Sequence, residues 1–243
     1  MANTVKASSS SPAEGASSSP TVEEGAPEPK RQRNPWGQGD RLRDEIIEGA
    51  TAILERTGNE ASITLRAVCR EIGVTPPSIS RFFKDPSEVI DLVVSRELGQ
   101  MRDSMAAASE ANSGDPVAQL FAIIRAVFDL GRAHPNRYRV IFERRFLPLW
   151  DEQGLVMTET APLIAESFGL VVSALTDCVA IGASTSTDAF ADCVAVWCGL
   201  HGLVALPAAI TTFPWPDFDD LLDTLITRLT RLDPDVISKV QKS

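Results

Sequence analysis

Residues 62–91 decide the fold of this chain, and they read SITLRAVCREIGVTPPSISRFFKDPSEVID. Four apolar residues near the start recur at helical spacing and predict a short helix with one buried stripe. These are Leu65, Val68, Cys69 and Ile72. Gly73 can adopt the left-handed conformation that ends such a helix. The segment therefore opens with about two helical turns followed by a tight turn.

A second short helix is predicted after this turn. Thr75 is a suitable N-cap, and Pro76 and Pro77 fit the first turn, where a missing N–H group loses no intrahelical bond. We expect Ile79 and Phe83 to face the core. The side chains left outside are Ser78, Ser80, Arg81, Phe82 and Lys84. Two helices joined in this way form a helix-turn-helix, which places its second helix in the major groove of DNA.

A longer helix is predicted to begin at Pro86. Asp85 is its N-cap, Pro86 takes the first helical position, and Glu88 completes a capping box. The helix continues to about Ala108 and is long enough to leave the helix-turn-helix region. Its apolar face carries Ile90, Val94, Met101 and Met105.

This motif resembles the DNA-binding domain of the TetR family of bacterial transcription regulators. The matching positions are Thr64, Val68, Gly73, Val74, Thr75, Ser78, Ile79, Arg81 and Phe83. The likeness is specific over residues 37–95 and looser over 96–232. Trp197, His201 and Gly202 resemble a Trp-His-Gly signature of an actinobacterial branch. Two positions depart from the pattern, with Ser80 where tyrosine is usual and Pro86 where lysine is usual.

The remaining sequence predicts an all-α fold of two domains, with no strand pattern competing. The further helices are predicted at about 40–57, 116–133, 135–145, 158–181, 188–211 and 217–232. We expect a disordered tail at 1–29, a basic arm and helix-turn-helix domain at 30–85, an effector-binding and dimerisation domain at 86–233, and a C-terminal tail at 234–243.

The charge is placed unevenly along the 243 residues. The formal net charge of −10 argues, taken alone, against a nucleic-acid partner. Residues 30–43, however, contain five basic residues and one acidic residue, and residues 72–84 contain two basic residues and no acidic one. Because the local field governs phosphate binding, a double-stranded DNA partner is compatible with the overall acidity.

Residues 189–210 are apolar enough to suggest a membrane span, but they contain Asp192, His201 and Pro207 and lack flanking basic residues. The helices at about 188–211 and 217–232 have more apolar surface than a monomer can bury, which favours a homodimer interface. Gly199 and Gly202 would permit close approach of helices there. A dimer presents two reading helices about 34–36 Å apart and so predicts a palindromic operator.

The four cysteines have neither zinc-site nor disulfide spacing, and we interpret them as small buried apolar residues of a cytoplasmic, nucleoid-associated protein. No cofactor or metal site is predicted. With two histidines and no nucleophile–base pair or phosphate loop, the sequence does not indicate an enzyme. Two alternatives stay open: an architectural DNA-binding protein with a filled core, and an enzyme with a vestigial motif.

The predicted DNA contacts combine the arm with the motif. They are Lys30, Arg31, Arg33, Arg41, Thr64, Arg66, Thr75, Pro77, Ser78, Ser80, Arg81 and Lys84. Resemblance to TetR proteins implies a repressor with a pocket for a small, largely apolar effector among the middle helices. Its candidate lining is Met101, Met105, Phe121, Phe128, Tyr138, Phe142, Trp150, Phe168, Cys178, Trp197 and His201. For His201 we favour a structural hydrogen-bond partner over a ligand.

Overall fold

The computed structural model describes residues 39–142, 150–151, 154–155 and 160–234. Most of them are helical, so the predicted all-α class is confirmed. The helices are α1 (Gly39–Thr57), α2 (Leu65–Glu71), α3 (Pro76–Ser80), α4 (Pro86–Ala111), α5 (Pro116–Ala133), α6 (Pro135–Phe142), α7 (Ala161–Ala180), α8 (Ala189–Ala209) and α9 (Phe218–Leu229), with a 3₁₀ turn at Glu60–Ser62.

The helix-turn-helix forms as its start and stop signals predict. Thr64 caps α2 by accepting a hydrogen bond from the backbone N–H of Ala67 at 3.1 Å. Gly73 has a φ of 67° in the turn, a conformation that a β-carbon would strain. Ile79 and Phe83 are buried in the hydrophobic core as expected, and α3 packs beside α2.

Two capping predictions need correction. The Thr75 side chain does not cap α3, because its Oγ1 lies 3.1 Å from the Ser78 Oγ in a side-chain hydrogen bond. Asp85 does cap α4, by accepting from the Ser87 N–H at 2.8 Å. Glu88 accepts from the N–H of Lys84, one residue before the cap, so the reciprocal half of the capping box is displaced.

Helix α4 connects the helix-turn-helix with the rest of the chain. It packs beside α1 at its start and then along α5 and α7. Met101 and Met105 lie on its buried face and have no accessible surface. Since one unbroken helix belongs to both regions, a displacement of its later turns can be transmitted to α3.

A short strand pair was not predicted. Trp150–Asp151 (β1) pairs antiparallel with Gly154–Leu155 (β2), between the helices predicted at 135–145 and 158–181, where no strand was expected. Two residues per strand are too few to produce a detectable alternation of apolar and polar side chains. The predicted continuation of α6 to Arg145 lies partly outside the described residues.

Helices α7 and α8 are each long and apolar enough to cross a membrane, judged by length and composition only. Only 28% of the most apolar window of each helix is buried. On α8 six exposed residues follow helical spacing along one face, which we call the α8 face: Ala191, Val194, Ala195, Cys198, Leu206 and Ala209. An apolar face of this length indicates a contact that the single chain does not provide.

Candidate nucleic-acid interface and ligand site

Most of the predicted DNA contacts among the described residues are exposed to solvent. Those exposed to solvent are Arg41, Thr64, Arg66, Thr75, Pro77, Ser80, Arg81 and Lys84, whereas Ser78 is half-buried. Lys30, Arg31 and Arg33 lie outside the described residues. We call the exposed residues of this set the α3 surface, and their role in DNA binding stays a prediction.

Several polar side chains of the α3 surface already have partners within the chain. Ser80 donates to the Pro76 carbonyl at 2.9 Å, and Arg41 pairs with Glu45 at 3.2 Å. By contrast, the side chains of Arg66, Arg81 and Lys84 form no ion pair with other described residues. These three cations are available to an external anion.

One acidic residue close to this surface in sequence, Glu71, is paired within the chain. Glu71 at the end of α2 accepts two hydrogen bonds from the Arg56 guanidinium, at 3.1 and 2.8 Å. The hydrogen bonds from Arg56 lower the pKa of Glu71 and keep it ionised. The pair is exposed and contributes little stability, but it reduces the repulsion that Glu71 would exert on a phosphate.

Phe82 also lies on the α3 surface, although it is absent from the predicted contacts. Its side chain is 36% exposed, and the Arg81 guanidinium carbon lies 4.6 Å from the ring centroid. The spacing of Ile79 and Phe83 already placed Phe82 off the buried stripe. An exposed phenylalanine beside a reading helix was therefore detectable in the sequence.

Some of the predicted ligand-binding residues meet in one aromatic cluster between α6, α7 and α8. The Phe142 ring centroid lies 4.3 Å from that of His201, 5.5 Å from Trp197 and 4.6 Å from Tyr138, and Trp197 lies 6.2 Å from Phe168. Tyr138 is buried, whereas the other four side chains keep partial exposure. The aromatic cluster therefore combines apolar ring surface with access for a ligand.

His201 has the structural partner that sequence analysis favoured. Its Nδ1 lies 2.7 Å from the Tyr138 hydroxyl oxygen. Burial lowers the pKa of His201 below its ordinary value and raises that of Tyr138. Both groups are therefore neutral near pH 7, and the aromatic cluster carries a hydrogen-bonding pair without a net charge.

The other predicted ligand-binding residues are dispersed. Met101, Met105 and Cys178 have no accessible surface and belong to the packed core in this conformation. Phe128 is also buried, and the Arg132 guanidinium lies over its ring at 5.6 Å. Phe121 packs against the core from a half-buried position. The side chain of Trp150 lies outside the described residues.

Two interpretations of small residues are corrected by the packing. A β-carbon on Gly199 would lie 2.5 Å from Leu225 Cδ1. This glycine therefore permits close contact between α8 and α9 of the same chain, and its free side packs against Leu225 instead of a second chain. Cys198 is exposed, whereas Cys69, Cys178 and Cys193 are buried as expected. Cys198 lies on the α8 face, and the apolar residues around it in the sequence do not indicate this exposure.

Helix α6 joins the aromatic cluster to the helix-turn-helix region. Asn136 donates to the Glu55 carbonyl of α1 at 2.9 Å, and His134 Nδ1 lies 2.6 Å from Glu55 Oε1. Arg137 donates to the buried Glu97 of α4 at 2.6 Å. Together with Tyr138, successive residues of α6 thus touch α1, α4 and α8.

Acidification should destabilise the fold through His201. Because its folded pKa lies below the ordinary 6.5, the unfolded chain takes up a proton that the folded chain resists. The free energy of unfolding should therefore fall as the pH drops below about 6.5, and level off near the folded pKa. Urea titrations at pH 7.5 and 5.5 measure this change. In His201→Gln the fall should be smaller, and an equal fall in both proteins would contradict the assignment.

Within residues 39–142 and 160–234, no group of three or more histidine, cysteine, aspartate or glutamate side chains is arranged to hold a metal ion.

Solved structures of other proteins share the fold. A protein with unknown function from Rhodococcus sp. RHA1 is 21% identical, with a TM-score of 0.68 over 82% of this chain and 98% of that one. The regulator FadR from Bacillus subtilis in complex with stearoyl-CoA is 15% identical, with a TM-score of 0.61 over 77% and 97% of the two chains. A TetR transcription regulator from Haloarcula marismortui ATCC 43049 is 14% identical, with a TM-score of 0.59 over 79% and 95%. At these identities the likeness shows the fold alone.

A family model provides evidence at the level of sequence. The model described as "Tetracyclin repressor-like, C-terminal domain" matches residues 120–229, from α5 to the end of α9. Comparison with curated proteins gives no match. The matched domain follows a helix-turn-helix within one fold, and residues 120–229 are similar to the C-terminal domain of tetracyclin repressor-like proteins.

Proposed function

We propose that this protein is a homodimeric repressor that binds a palindromic operator and is released by a small, largely apolar effector. The observation that carries the proposal is the α3 surface, where Arg66, Arg81 and Lys84 are exposed without ion-pair partners among the described residues. Unpaired cations beside a reading helix suit the phosphates and base edges of a duplex. Arg31 and the rest of the basic arm would add contacts in the adjacent minor groove.

A second copy of the chain is the natural partner of the α8 face. Leu206 and Val194 are exposed at its two ends, and α9 adds the half-buried Leu221 beside it. Two-fold pairing of α8 and α9 would remove these side chains from water. Such pairing would also account for the apolar α8 in a cytoplasmic protein.

The aromatic cluster is our candidate for the effector site. Its partly exposed rings offer apolar contact, and the Tyr138–His201 pair offers one hydrogen-bonding position without charge. Trp197 and His201 are also the residues that support a place in the actinobacterial branch. The related fold of FadR holds stearoyl-CoA, which supports a ligand with a large apolar part here.

We place the functional boundary at Pro86, between a DNA-binding domain at 30–85 and an effector-binding domain at 86–233. The described residues on both sides of Pro86 belong to the same compact unit. An effector that displaces Tyr138 would act on α1 and α4 through α6, and so alter the separation of the two reading helices. Operator affinity would fall by the factor by which the ligand binds the displaced state more tightly than the DNA-binding state.

Selection of bound DNA from a random pool tests the proposal. The full chain should enrich a palindrome whose half-sites are about one helical turn apart. Enrichment of an asymmetric site would exclude symmetric dimer binding, and no enrichment would reject the DNA-binding function. Native mass spectrometry of the purified protein then tests for a co-purified apolar molecule.

Replacing Arg81 with alanine should weaken operator binding about 10- to 100-fold, because a cation that contacts the duplex is lost. Arg81 is exposed and forms no ion pair with other described residues, so the midpoint of thermal unfolding should hardly change. Fluorescence anisotropy with the selected DNA measures the affinity. Arg70→Ala, at another exposed arginine of the motif, is the matched control. Equal affinities of Arg81→Ala and the unmodified protein would remove Arg81 from the interface.

A further inference from the structure

Phe82 is exposed in a part of the chain where other large apolar side chains are covered. Among the described residues before 181, it is the one large apolar side chain that is exposed. Every other exposed residue of this kind lies between Ile181 and Phe213. The exposure is not a by-product of packing, because Ile79 and Phe83 already attach the α3 region to the core.

The surroundings of Phe82 are cationic. Arg81 holds its guanidinium over the ring at 4.6 Å, a cation–π arrangement that keeps both side chains in place. Lys84 is exposed two residues later, and residues 72–84 contain no acidic side chain. An apolar ring framed by unpaired cations is complementary to a surface that offers C–H groups beside phosphates.

We propose that Phe82 packs against apolar C–H surface of the operator and contributes directly to operator affinity. A duplex offers two sources of such surface: the 5-methyl group of thymine in the major groove and the faces of the deoxyribose rings. Arg81 stays stacked on the ring and points its charge to a neighbouring phosphate or base edge. This inference rests on the proposed DNA-binding function.

The inference makes a quantitative claim about Phe82→Ala. Removing about a third of a phenylalanine surface from an apolar contact should weaken operator binding about tenfold. Phe82→Leu keeps an apolar side chain and should retain most of the affinity. Because no charge changes, the slope of log affinity against log salt should stay that of the unmodified protein.

A double-mutant cycle separates direct contact from an effect through Arg81. The tenfold penalty of Phe82→Ala should persist in an Arg81→Ala background if the ring itself touches the DNA. Loss of the penalty in that background would overturn the proposal, because Phe82 would then act only by holding the guanidinium. A shallower salt slope in Phe82→Ala would count against it in the same way.

Modified operators distinguish the two sources of apolar surface. Each thymine of the selected DNA is replaced in turn by deoxyuridine, which lacks the 5-methyl group. If one replacement abolishes the penalty of Phe82→Ala, the ring contacts that methyl group; if none does, the ring packs on deoxyribose. Unchanged affinity of Phe82→Ala, with its thermal midpoint preserved, rejects the contact. Failure of the unmodified protein to select any DNA would instead reject the proposed function itself.

Discussion

Replacing Ala195 with glutamate is expected to convert the protein to a monomer and to weaken operator binding about 10²- to 10⁴-fold. Ala195 lies on the α8 face and is exposed in the single chain, so the carboxylate should not disturb the fold. In the proposed dimer it would be buried against apolar residues of the second copy, without a partner for its charge. A monomer binds only one half-site of the operator. It therefore loses the high effective concentration at which, in a dimer, the second α3 helix meets the second half-site.

Sedimentation velocity and anisotropy with the selected DNA measure this result. Ala107→Glu is the matched control, because Ala107 is exposed on α4, away from the α8 face. The control should remain dimeric and keep its affinity. An Ala195→Glu protein that is still a dimer would exclude the α8 face as the interface.

Replacing Arg137 with methionine is expected to lower the free energy of unfolding by about 3–5 kcal/mol. Glu97 is 1% exposed, and the Arg137 guanidinium is its ion-pair partner. Without Arg137 the carboxylate stays buried with its charge uncompensated, which costs far more than the loss of an exposed pair. Arg137 also donates to Gln100 at 2.8 Å, so the variant loses a second contact between α6 and α4.

Urea denaturation followed by circular dichroism gives the unfolding free energy. Arg96→Met is the control, because Arg96 of α4 pairs with Glu48 of α1 at 3.5 Å in an exposed ion pair, and its loss should cost less than about 1 kcal/mol. The double variant Glu97→Met/Arg137→Met should recover most of the loss, since no buried charge remains. A double variant as unstable as Arg137→Met would show that packing, not charge, explains the effect.

The helix-turn-helix was predictable because its signals are local. Thr64, Gly73, Asp85 and Pro86 act on backbone groups within a few residues of themselves, and the structure retains the N-cap, the turn and the helix start that they predict. The failures there are also local and small. Several hydrogen-bond partners lie near the Thr75 hydroxyl, and the spacing of residues in the sequence does not predict which one it bonds.

The candidate ligand site was predictable only as a list of aromatic residues. Which of them meet depends on how α6, α7 and α8 cross, and the Tyr138–His201 bond joins residues 63 positions apart. The same holds for the Arg137–Glu97 pair, 40 positions apart. Helical periodicity predicts the face of a helix on which a residue lies. It does not predict which other helix packs against that face.

By itself the sequence determined the helical class, the caps and turn of the reading motif, and the sign of charge beside it, because these follow from short-range backbone chemistry and from composition. Tertiary structure alone decided that Gly199 serves contact within the chain, that Cys198 faces outward, and that Tyr138 meets His201. The reason is physical: these outcomes depend on helix crossing, where side chains distant in sequence compete for the same space.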